Sequence, residues 1–367
     1  MITRFYVDNY KCLVNFEYKP KPFELILGAN GSGKTTAFEA LSKVRELVKG
    51  DRKVGELFSR PSCTRWSYRL EQRFELEMVD GDMEFKYVLV IDYSSGEPRI
   101  KNENFYSGSA RVESQIVTQE EIQSQRFAPV REVNQHFAGV ETTSLVSNPD
   151  FSIMNFGVGM LVWFPMRNIR FFRLQAEAMN PLVVEEQDEP TTNLSNFASF
   201  YSHLLQEDQG SAFNLTANLR EVLPGFDQFA LPLSNKGVRK LTAVMNRPQK
   251  NTRFGFDELS DGQRALVALY ALIHCTLKSG VTLLIDEPEN YISMRELQPW
   301  LMTLEEKIEE QGGQVILISH NPEIVNFLAP ERAILFERLD GGVVTVRPFE
   351  SSAYLTPAET IVRGWES

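Results

Sequence analysis

A glycine-rich stretch at residues 28–35 carries the clearest chemistry in the sequence. Its residues, Gly-Ala-Asn-Gly-Ser-Gly-Lys-Thr, fit the pattern Gly-x-x-x-x-Gly-Lys-[Ser/Thr] in full. Glycines let the backbone N–H groups turn toward a phosphate. Lys34 would then reach the β- and γ-phosphates of a nucleoside triphosphate, and Thr35 would offer its hydroxyl to Mg²⁺. We therefore predict an ATP or GTP site with these contact residues: Asn30, Gly31, Ser32, Gly33, Lys34, Thr35 and Thr36.

The residues on either side of this stretch predict the structure that a phosphate loop requires. An apolar run at 23–27 predicts a buried strand, and apolar residues recur at helical spacing from Ala37 to Val48. The loop would therefore lie between a strand and the N-terminus of a helix, where partial positive charge favours an anion. The alternative, a glycine-rich turn with a lysine there by chance, does not account for these flanks.

Two carboxylates directly follow a second predicted strand, the apolar run at 281–285. Asp286 would hold Mg²⁺ through water at the carboxyl end of that strand. Glu287 is placed to act as the general base that activates the attacking water. The alternative is an Asp-Glu turn at the surface, which the presence of a phosphate loop in the same chain makes less favoured.

Residues 259–263, Leu-Ser-Asp-Gly-Gln, open a predicted helix shortly before the carboxylate pair. Ser260 and the N–H of Gly262 would form an anion site at the helix N-terminus. Taken alone, a capped helix start is more often structural. Its position immediately before Asp286 and Glu287 favours a functional interpretation.

The order of these motifs resembles that of ABC-class ATPases. Residues 259–263 are similar to the Leu-Ser-Gly-Gly-Gln signature, with Asp261 in place of a glycine, and the opening stretch at 9–13 is Asn-Tyr-Lys-Cys-Leu. With Glu289 and Asn290 at the D-loop position, the sequence resembles ATP-binding proteins of the OLD, RecF and SMC-like branch. The resemblance covers 1–50 and 255–330, and is thin between. At 291–294, Tyr-Ile-Ser-Met stands where the branch more commonly has Gly-Leu-His-Pro.

The resemblance implies a role for each motif in a homodimer that closes head to tail around two ATP molecules with Mg²⁺. Ser260 and Gly262 of one subunit would complete the γ-phosphate site that Lys34 and Thr35 build in the other. His320, which ends the predicted strand at 315–318, would be the switch histidine near the γ-phosphate. The resemblance therefore implies that the catalytic residues are Glu287, His320 and Lys34.

The glutamine of the Q-loop, which senses the metal in this family, has three candidates. Gln175 follows a predicted strand at 169–174 and resembles the family position best. An ordinary surface glutamine explains it equally well. Gln72 and Gln115 are the alternatives.

The pattern of strands and helices predicts an α/β fold, a phosphate-loop NTPase of ABC type. Alternating strands and helices in the last third predict a mainly parallel sheet flanked by helices, and period-two alternation around Asp80-Gly81 predicts an antiparallel β subdomain. A partly helical lobe would contain an exposed, mobile acidic loop near 184–192. We expect three segments: an N-terminal ATPase lobe at 1–110, an inserted lobe at 111–255, and the C-terminal ATPase part at 256–367.

Composition excludes several classes of protein. The 367 residues include no apolar run long enough to span a membrane, and the N-terminus lacks a signal-peptide pattern, so we expect a cytoplasmic protein. A net charge of −11 argues against a wholly basic nucleic-acid binder. Ser260 follows Lys34 at about twice the spacing that resemblance to a transporter ATPase would predict, which disfavours a transporter motor.

Two biological roles are consistent with the resemblance. ATPases of this branch often control a separately encoded nuclease or toxin in bacterial defence against phage or plasmids. OLD-type nucleases continue into a Toprim domain, and the segment after His320 is too short for one, so we expect any effector to be another polypeptide.

The alternative role is a DNA repair or recombination ATPase of RecF and SMC type that clamps DNA. It would use the arginines interleaved with Trp66 and Tyr68 to neutralise phosphates. A solvated sheet face explains these arginines more simply. They are Arg60, Arg65, Arg69 and Arg73, and a second basic group, Arg167, Arg170 and Arg173, lies on or beside the predicted strand at 169–174.

Overall fold

The computed structural model describes residues 1–50, 52–109, 140–143, 165–233, 237–246, 251–350 and 354–363. The chain divides into two compact units. The first contains residues 1–169 and 333–350, and the second contains residues 170–332 and 351–367. The three segments expected from the sequence stay a prediction, and the alternative Q-loop residue Gln115 lies outside the described residues.

An antiparallel sheet of six strands occupies much of the first unit. Its strands are β1 (Ile2–Asp8), β2 (Phe16–Tyr18), β4 (Glu71–Asp80), β5 (Met83–Asp92), β6 (Arg99–Ser109) and β7 (Val140–Thr143), in the order β2-β1-β4-β5-β6-β7. The predicted hairpin is confirmed: β4 and β5 pair along their whole length around Gly81, which has a φ of 58°. On its buried face, Phe74 opposes Leu89 and Leu76 opposes Tyr87.

A second group of strands in the first unit leads into the phosphate loop. It consists of β3 (Phe23–Leu27), β16 (Ala333–Glu337) and β17 (Thr345–Pro348), followed in the chain after β3 by helices α1 (Lys34–Lys49) and α2 (Val54–Leu57). Strand β3 is buried at all five positions and pairs in parallel with β16, which pairs antiparallel with β17. The predicted strand, loop and helix around residues 28–35 are thus confirmed.

The second unit alternates strands and helices, as the last third of the sequence predicts. Its elements here are β8 (Ile169–Phe172), which begins at the boundary of the units, α5 (Asp261–Cys275), β14 (Thr282–Asp286), α6 (Met294–Gln311), β15 (Gln314–Ile318), α7 (Pro322–Arg332) and α8 (Pro357–Arg363). Strand β14 pairs in parallel with β15 and lies beside β8. Residues of β14 and β15 are almost entirely buried, which explains their unbroken apolar runs.

The rest of the second unit contains a helical pair and short antiparallel strands. These elements are β9 (Leu182–Val183), α3 (Phe197–Glu207), α4 (Gln209–Val222), β10 (Phe226–Ala230), β11 (Arg239–Lys240), β12 (Thr242–Met245) and β13 (Thr252–Gly255). The acidic loop at 184–192 is largely exposed. Asn196 fixes its C-terminal half by donating to the carbonyl of Glu189 at 2.9 Å and accepting from the N–H of Thr191 at 2.8 Å. Its mobility stays a prediction.

Within the described part of the chain, no helix has both the length and the apolar character needed to cross a membrane.

A buried imidazole makes the stability of the second unit depend on pH. Burial lowers the pKa of His274 from 6.5 to about 4, and its Nε2 lies 2.9 Å from Oδ1 of Asn218. The unfolded chain binds this proton between those two pH values and the folded chain does not. The stability conferred by the neutral ring is therefore complete above pH 6.5 and is lost as the pH falls toward 4.

We expect acidification from about pH 7 to about pH 4 to lower the free energy of unfolding by up to about 3 kcal/mol through this group. Replacing His274 by leucine should remove that part of the pH dependence. Denaturant titrations of both proteins at several pH values across this range give the free energy of unfolding as a function of pH. The wild type should lose more of this free energy on acidification than the variant. Equal losses would contradict the assignment of this dependence to His274.

Candidate functional site

The phosphate loop needs glycine at two positions for reasons of space as well as conformation. Gly28 has a φ of 144°, and a Cβ there would lie 2.3 Å from the backbone oxygen of Phe336. Gly33 has a φ of 100°, and a Cβ there would lie 2.5 Å from Cγ2 of Val344. Both values of φ are disfavoured for side chains other than glycine. The loop can therefore follow this path only with the glycines that the motif supplies.

Lys34 is held over the loop by the loop's own carbonyl groups. Its Nζ donates to the carbonyl oxygens of Gly28 at 2.6 Å and Ala29 at 3.1 Å, and the residue is buried. Thr35 is exposed, so its hydroxyl is open to a ligand. Among the described residues, no side chain caps the N-terminus of α1, and the first turn has no acidic residue. These features fit a bound phosphate group, whose oxygens would accept from N–H groups at the helix start.

Replacing Gly33 by alanine should destabilise the first unit by about 2–4 kcal/mol, because the new Cβ overlaps Val344 and the backbone must keep a positive φ. Gly96→Ala is the matched control. Its φ is 89°, and a Cβ there meets open space within the described part of the chain. We expect that variant to lose only about 1–2 kcal/mol. Thermal unfolding without nucleotide compares the two, and equal losses would contradict the steric argument.

Asp286 and Glu287 lie at the carboxyl end of β14, as predicted. Asp286 is the last residue of the strand and is level with Ile318 of β15. Glu287 has a φ of 52°, its N–H donates to the carbonyl oxygen of Ile318 at 2.9 Å, and its Oε2 accepts from Nδ2 of Asn290 at 3.2 Å. A positive φ costs roughly 1–2 kcal/mol in a residue other than glycine, and such strain is concentrated at functional sites. The hydrogen bond between the N–H of Glu287 and the carbonyl oxygen of Ile318 therefore fixes the direction in which the carboxylate projects from the end of the strand.

Arg173 contacts both of these carboxylates. Its Nη2 lies 3.5 Å from Oε2 of Glu287, and its Nε lies 3.9 Å from Oδ2 of Asp286. Sequence reasoning placed Arg173 only among basic residues near the strand at 169–174. No local sequence signal indicates this contact, because it depends on β8 lying beside β14 in the sheet.

The signature-like segment begins helix α5 with a capping box. Oγ of Ser260 accepts from the N–H of Gln263 at 3.3 Å, and Oε1 of Gln263 accepts from the N–H of Ser260 at 3.0 Å. A Cβ at Gly262 would lie 2.7 Å from the backbone oxygen of Tyr291, so this position also needs glycine. Asp261, which replaces the usual glycine, forms an ion pair with Arg264. Ser260 itself is exposed, so its hydroxyl is open to an approaching group.

Glu289 of the D-loop position holds the backbone around His320. Its Oε1 accepts from Oγ of Ser319 at 2.6 Å and from the N–H groups of His320 and Asn321, both at 3.3 Å. The ring of His320 is exposed. The sequence did not predict this contact. It joins two motifs by fixing the turn that presents the histidine.

The structure places two of the three candidate Q-loop glutamines in different environments, one exposed and one buried. Gln175 is exposed beside Asn193, whose Nδ2 donates to Oε1 of Gln175 at 3.3 Å. Gln72 is fully buried and donates to the carbonyl oxygen of Asn9 at 3.0 Å, while its Oε1 accepts from the hydroxyl of Tyr93 at 2.6 Å. Gln72 is therefore a structural residue. The Q-loop role of Gln175 stays a prediction.

Two of the four arginines interleaved with Trp66 and Tyr68 pair with carboxylates of the first unit's sheet. Arg69 lies 2.5 Å from Asp8, and Arg73 lies 2.6 Å from Glu75. This arrangement agrees with a solvated sheet face, the interpretation preferred from the sequence, because the positive charges are balanced locally.

Comparison with known proteins agrees with these motifs. Residues 167–326 match the model of the family described as AAA domain, putative AbiEii toxin, Type IV TA system. A protein of Mycobacteroides abscessus named "Antibiotic resistance protein" is 31% identical over 114 residues, which are 31% of this chain and 19% of that protein. The chain thus spans less than a fifth of the length of that relative.

A solved structure identifies the fold. The head of an Smc protein, crystallised bound to the C-winged helix domain of ScpA, matches with a TM-score of 0.54 and 15% identity, over 95% of this chain and 98% of that one. The SMC head domain from Thermotoga maritima matches with a TM-score of 0.49 and 14% identity, over 95% and 99%. The fold is thus that of a phosphate-loop NTPase of the SMC head type.

The family match and the head fold confirm the resemblance to ABC-class ATPases of RecF and SMC-like type. What the comparisons establish is thus an AAA-domain match over residues 167–326 and an SMC-head fold.

Proposed function

We propose that this protein binds and hydrolyses ATP with Mg²⁺, dimerises around the nucleotide, and thereby controls a separate effector protein. The observation that carries this proposal is the phosphate loop. Its glycines permit a backbone path that other residues could not follow, and its lysine is held over the loop by the carbonyl groups of Gly28 and Ala29. The helix behind the loop lacks a side-chain cap among the described residues. The partial positive charge of this helix N-terminus would favour a bound anion.

In the proposed reaction, Glu287 accepts a proton from water as the water oxygen attacks the γ-phosphorus. The bond between that phosphorus and the β–γ bridging oxygen breaks, which releases ADP and inorganic phosphate. Lys34 stabilises negative charge on the β- and γ-phosphate oxygens, and His320 contacts the γ-phosphate. Thr35 and Asp286 would hold Mg²⁺, which supplies charge neutralisation when it is bound.

The proposed dimer uses the exposed N-terminus of α5. Ser260 and the N–H of Gly262 would approach the γ-phosphate of the ATP bound by a second subunit. The support is local: Ser260 is exposed, and its capping box with Gln263 fixes the direction of the helix start. ATP would then be part of the interface, and its hydrolysis would release the two subunits.

The proposed biological role is control of a nuclease or toxin in defence against phage or plasmids. The family description mentions a putative toxin and a type IV TA system, and the mycobacterial relative is named for antibiotic resistance. Both descriptions are compatible with a role in stress or defence, and neither specifies a partner.

Co-expression with the products of adjacent reading frames tests this role. We expect one product to co-purify with the protein, in a complex whose composition or activity differs between ATP and ADP. A control with Lys34→Ala should lose that nucleotide response. A complex that is indifferent to nucleotide would contradict the proposed switch, and ATP-strengthened, salt-sensitive binding to DNA would favour the clamp instead.

A further inference from the structure

Arg173 lies where its positive charge would oppose a metal ion held by Asp286. Its guanidinium group contacts the carboxylate of Asp286 at 3.9 Å and that of Glu287 at 3.5 Å. We propose that Arg173, which pairs with both carboxylates, competes with Mg²⁺ for the carboxylate of Asp286, so that it sets the metal concentration at which the site is loaded. This inference rests on the proposed function, because it assumes that Asp286 helps to hold Mg²⁺.

The backbone positions Arg173 for this contact. The residue directly follows β8, which lies beside β14, the strand that ends in Asp286. Its N–H donates to the carbonyl oxygen of Thr192 at 2.9 Å, at the end of the acidic loop. The start of the side chain is therefore fixed on the side of the two carboxylates.

The side chain itself is free to leave. It is 57% exposed, whereas the side chain of Asp286 is only 17% exposed. Ion pairs at such distances and exposure are weak, because water screens them and the long side chain loses rotamer freedom. Arg173 can therefore be displaced into solvent, while Asp286 stays in place.

Electrostatic repulsion keeps the guanidinium group of Arg173 and a divalent metal ion from binding these carboxylates at the same time. Adjacent carboxylates repel each other unless a cation balances their charge, and Arg173 supplies one positive charge at this position. A divalent ion supplies two, and it would be repelled by a guanidinium group that stayed within about 4 Å of the same oxygens. Binding of the metal should therefore require the arginine to withdraw, and this withdrawal should weaken the apparent metal affinity.

The acidic loop at 184–192 is connected to the two carboxylates through Arg173. Glu189 in that loop lies 3.9 Å from Arg170 on β8, and Thr192 accepts from the backbone of Arg173. A displacement of the loop would therefore move the residue that carries the competing charge. The metal requirement of the site would change with it.

Titration with Mn²⁺, followed by electron paramagnetic resonance of the free ion, tests the competition in the presence of a non-hydrolysable ATP analogue. Arg173→Gln should bind Mn²⁺ with a roughly three- to tenfold lower dissociation constant, a change of about 0.6–1.4 kcal/mol. Arg173→Lys, which keeps the charge, should stay closer to the wild type. The control is Arg220→Gln, which removes an exposed arginine paired with Asp227 at 3.3 Å in the same unit and should leave the constant unchanged.

A second readout is the Mg²⁺ concentration that gives half-maximal ATP turnover, which should fall in Arg173→Gln by a similar factor. Unchanged or weaker Mn²⁺ binding in Arg173→Gln, with normal binding in the wild type, would overturn this inference and leave the proposed function intact. A wild-type protein that binds neither the nucleotide nor Mn²⁺ with it would overturn both.

Discussion

Replacing Glu287 by glutamine should lower ATP turnover by about 10²–10⁴-fold while ATP binding is retained. The amide cannot accept the proton of the attacking water, and the loss of a general base has an effect of this size. The substitution is close to isosteric. The hydrogen bond from the backbone N–H of residue 287 to the carbonyl oxygen of Ile318 does not involve the side chain. Steady-state phosphate release measures turnover, and a fluorescent ATP analogue measures binding.

The same variant should accumulate as an ATP-bound dimer, because the step that releases the subunits is blocked. Light scattering after gel filtration with and without ATP would detect it. Glu306→Gln is the matched control, since it makes the same chemical change at an exposed position of α6 in the same unit. Normal hydrolysis by Glu287→Gln would refute the base assignment, even if the dimer formed.

Replacing Ser260 by arginine should abolish turnover yet leave the affinity of a single subunit for ATP unchanged. In the proposed dimer, Ser260 faces the γ-phosphate bound by the other subunit, and the larger side chain would block that approach. ATP binding by one subunit depends on the phosphate loop, which this substitution leaves unaltered. The measurements are turnover and equilibrium binding of ATP at a protein concentration below that of dimerisation.

Loss of the helix cap must be separated from this effect, because an N-cap serine contributes about 0.5–2 kcal/mol. Asp208→Ala removes the N-cap of α4, where the carboxylate accepts from the N–H of Ser211 at 3.0 Å, and should leave turnover unchanged. Comparable thermal unfolding of the two variants would show that cap loss does not explain the lost activity.

Mixing two inactive variants provides the sharpest test of the shared site. Lys34→Ala lacks the phosphate-binding lysine but keeps its signature-like segment, and Ser260→Arg has the opposite defect. A mixed dimer would contain one site built from the intact half of each, so turnover should be regained on mixing. Failure to regain it, with each variant folded, would contradict the head-to-tail arrangement.

Local motifs were predictable because short-range rules govern them. The path of the phosphate loop depends on glycines at fixed offsets, and α1 depends on apolar residues at helical spacing, so both follow from neighbours in the chain. The capping box of Ser260 and Gln263 is likewise a contact between residues three apart. The hairpin of β4 and β5 follows from alternation around a glycine turn.

Contacts between distant residues required the tertiary structure. The sequence placed Arg173 among basic residues and Asp286 at a strand end, but their proximity depends on β8 lying beside β14. Gln72 was a candidate for the Q-loop glutamine. The structure shows that its side-chain amide is buried and hydrogen-bonded to Asn9 and Tyr93.

The sequence by itself thus determined the class of chemistry, since residue types at fixed spacing specify a phosphate loop and a strand that ends in carboxylates. Only the tertiary structure decided which charges oppose one another at those carboxylates. The order of strands in a sheet is set by which apolar faces are buried together, and no local pattern encodes it. The partners of Glu289 and Arg173 depend on that order.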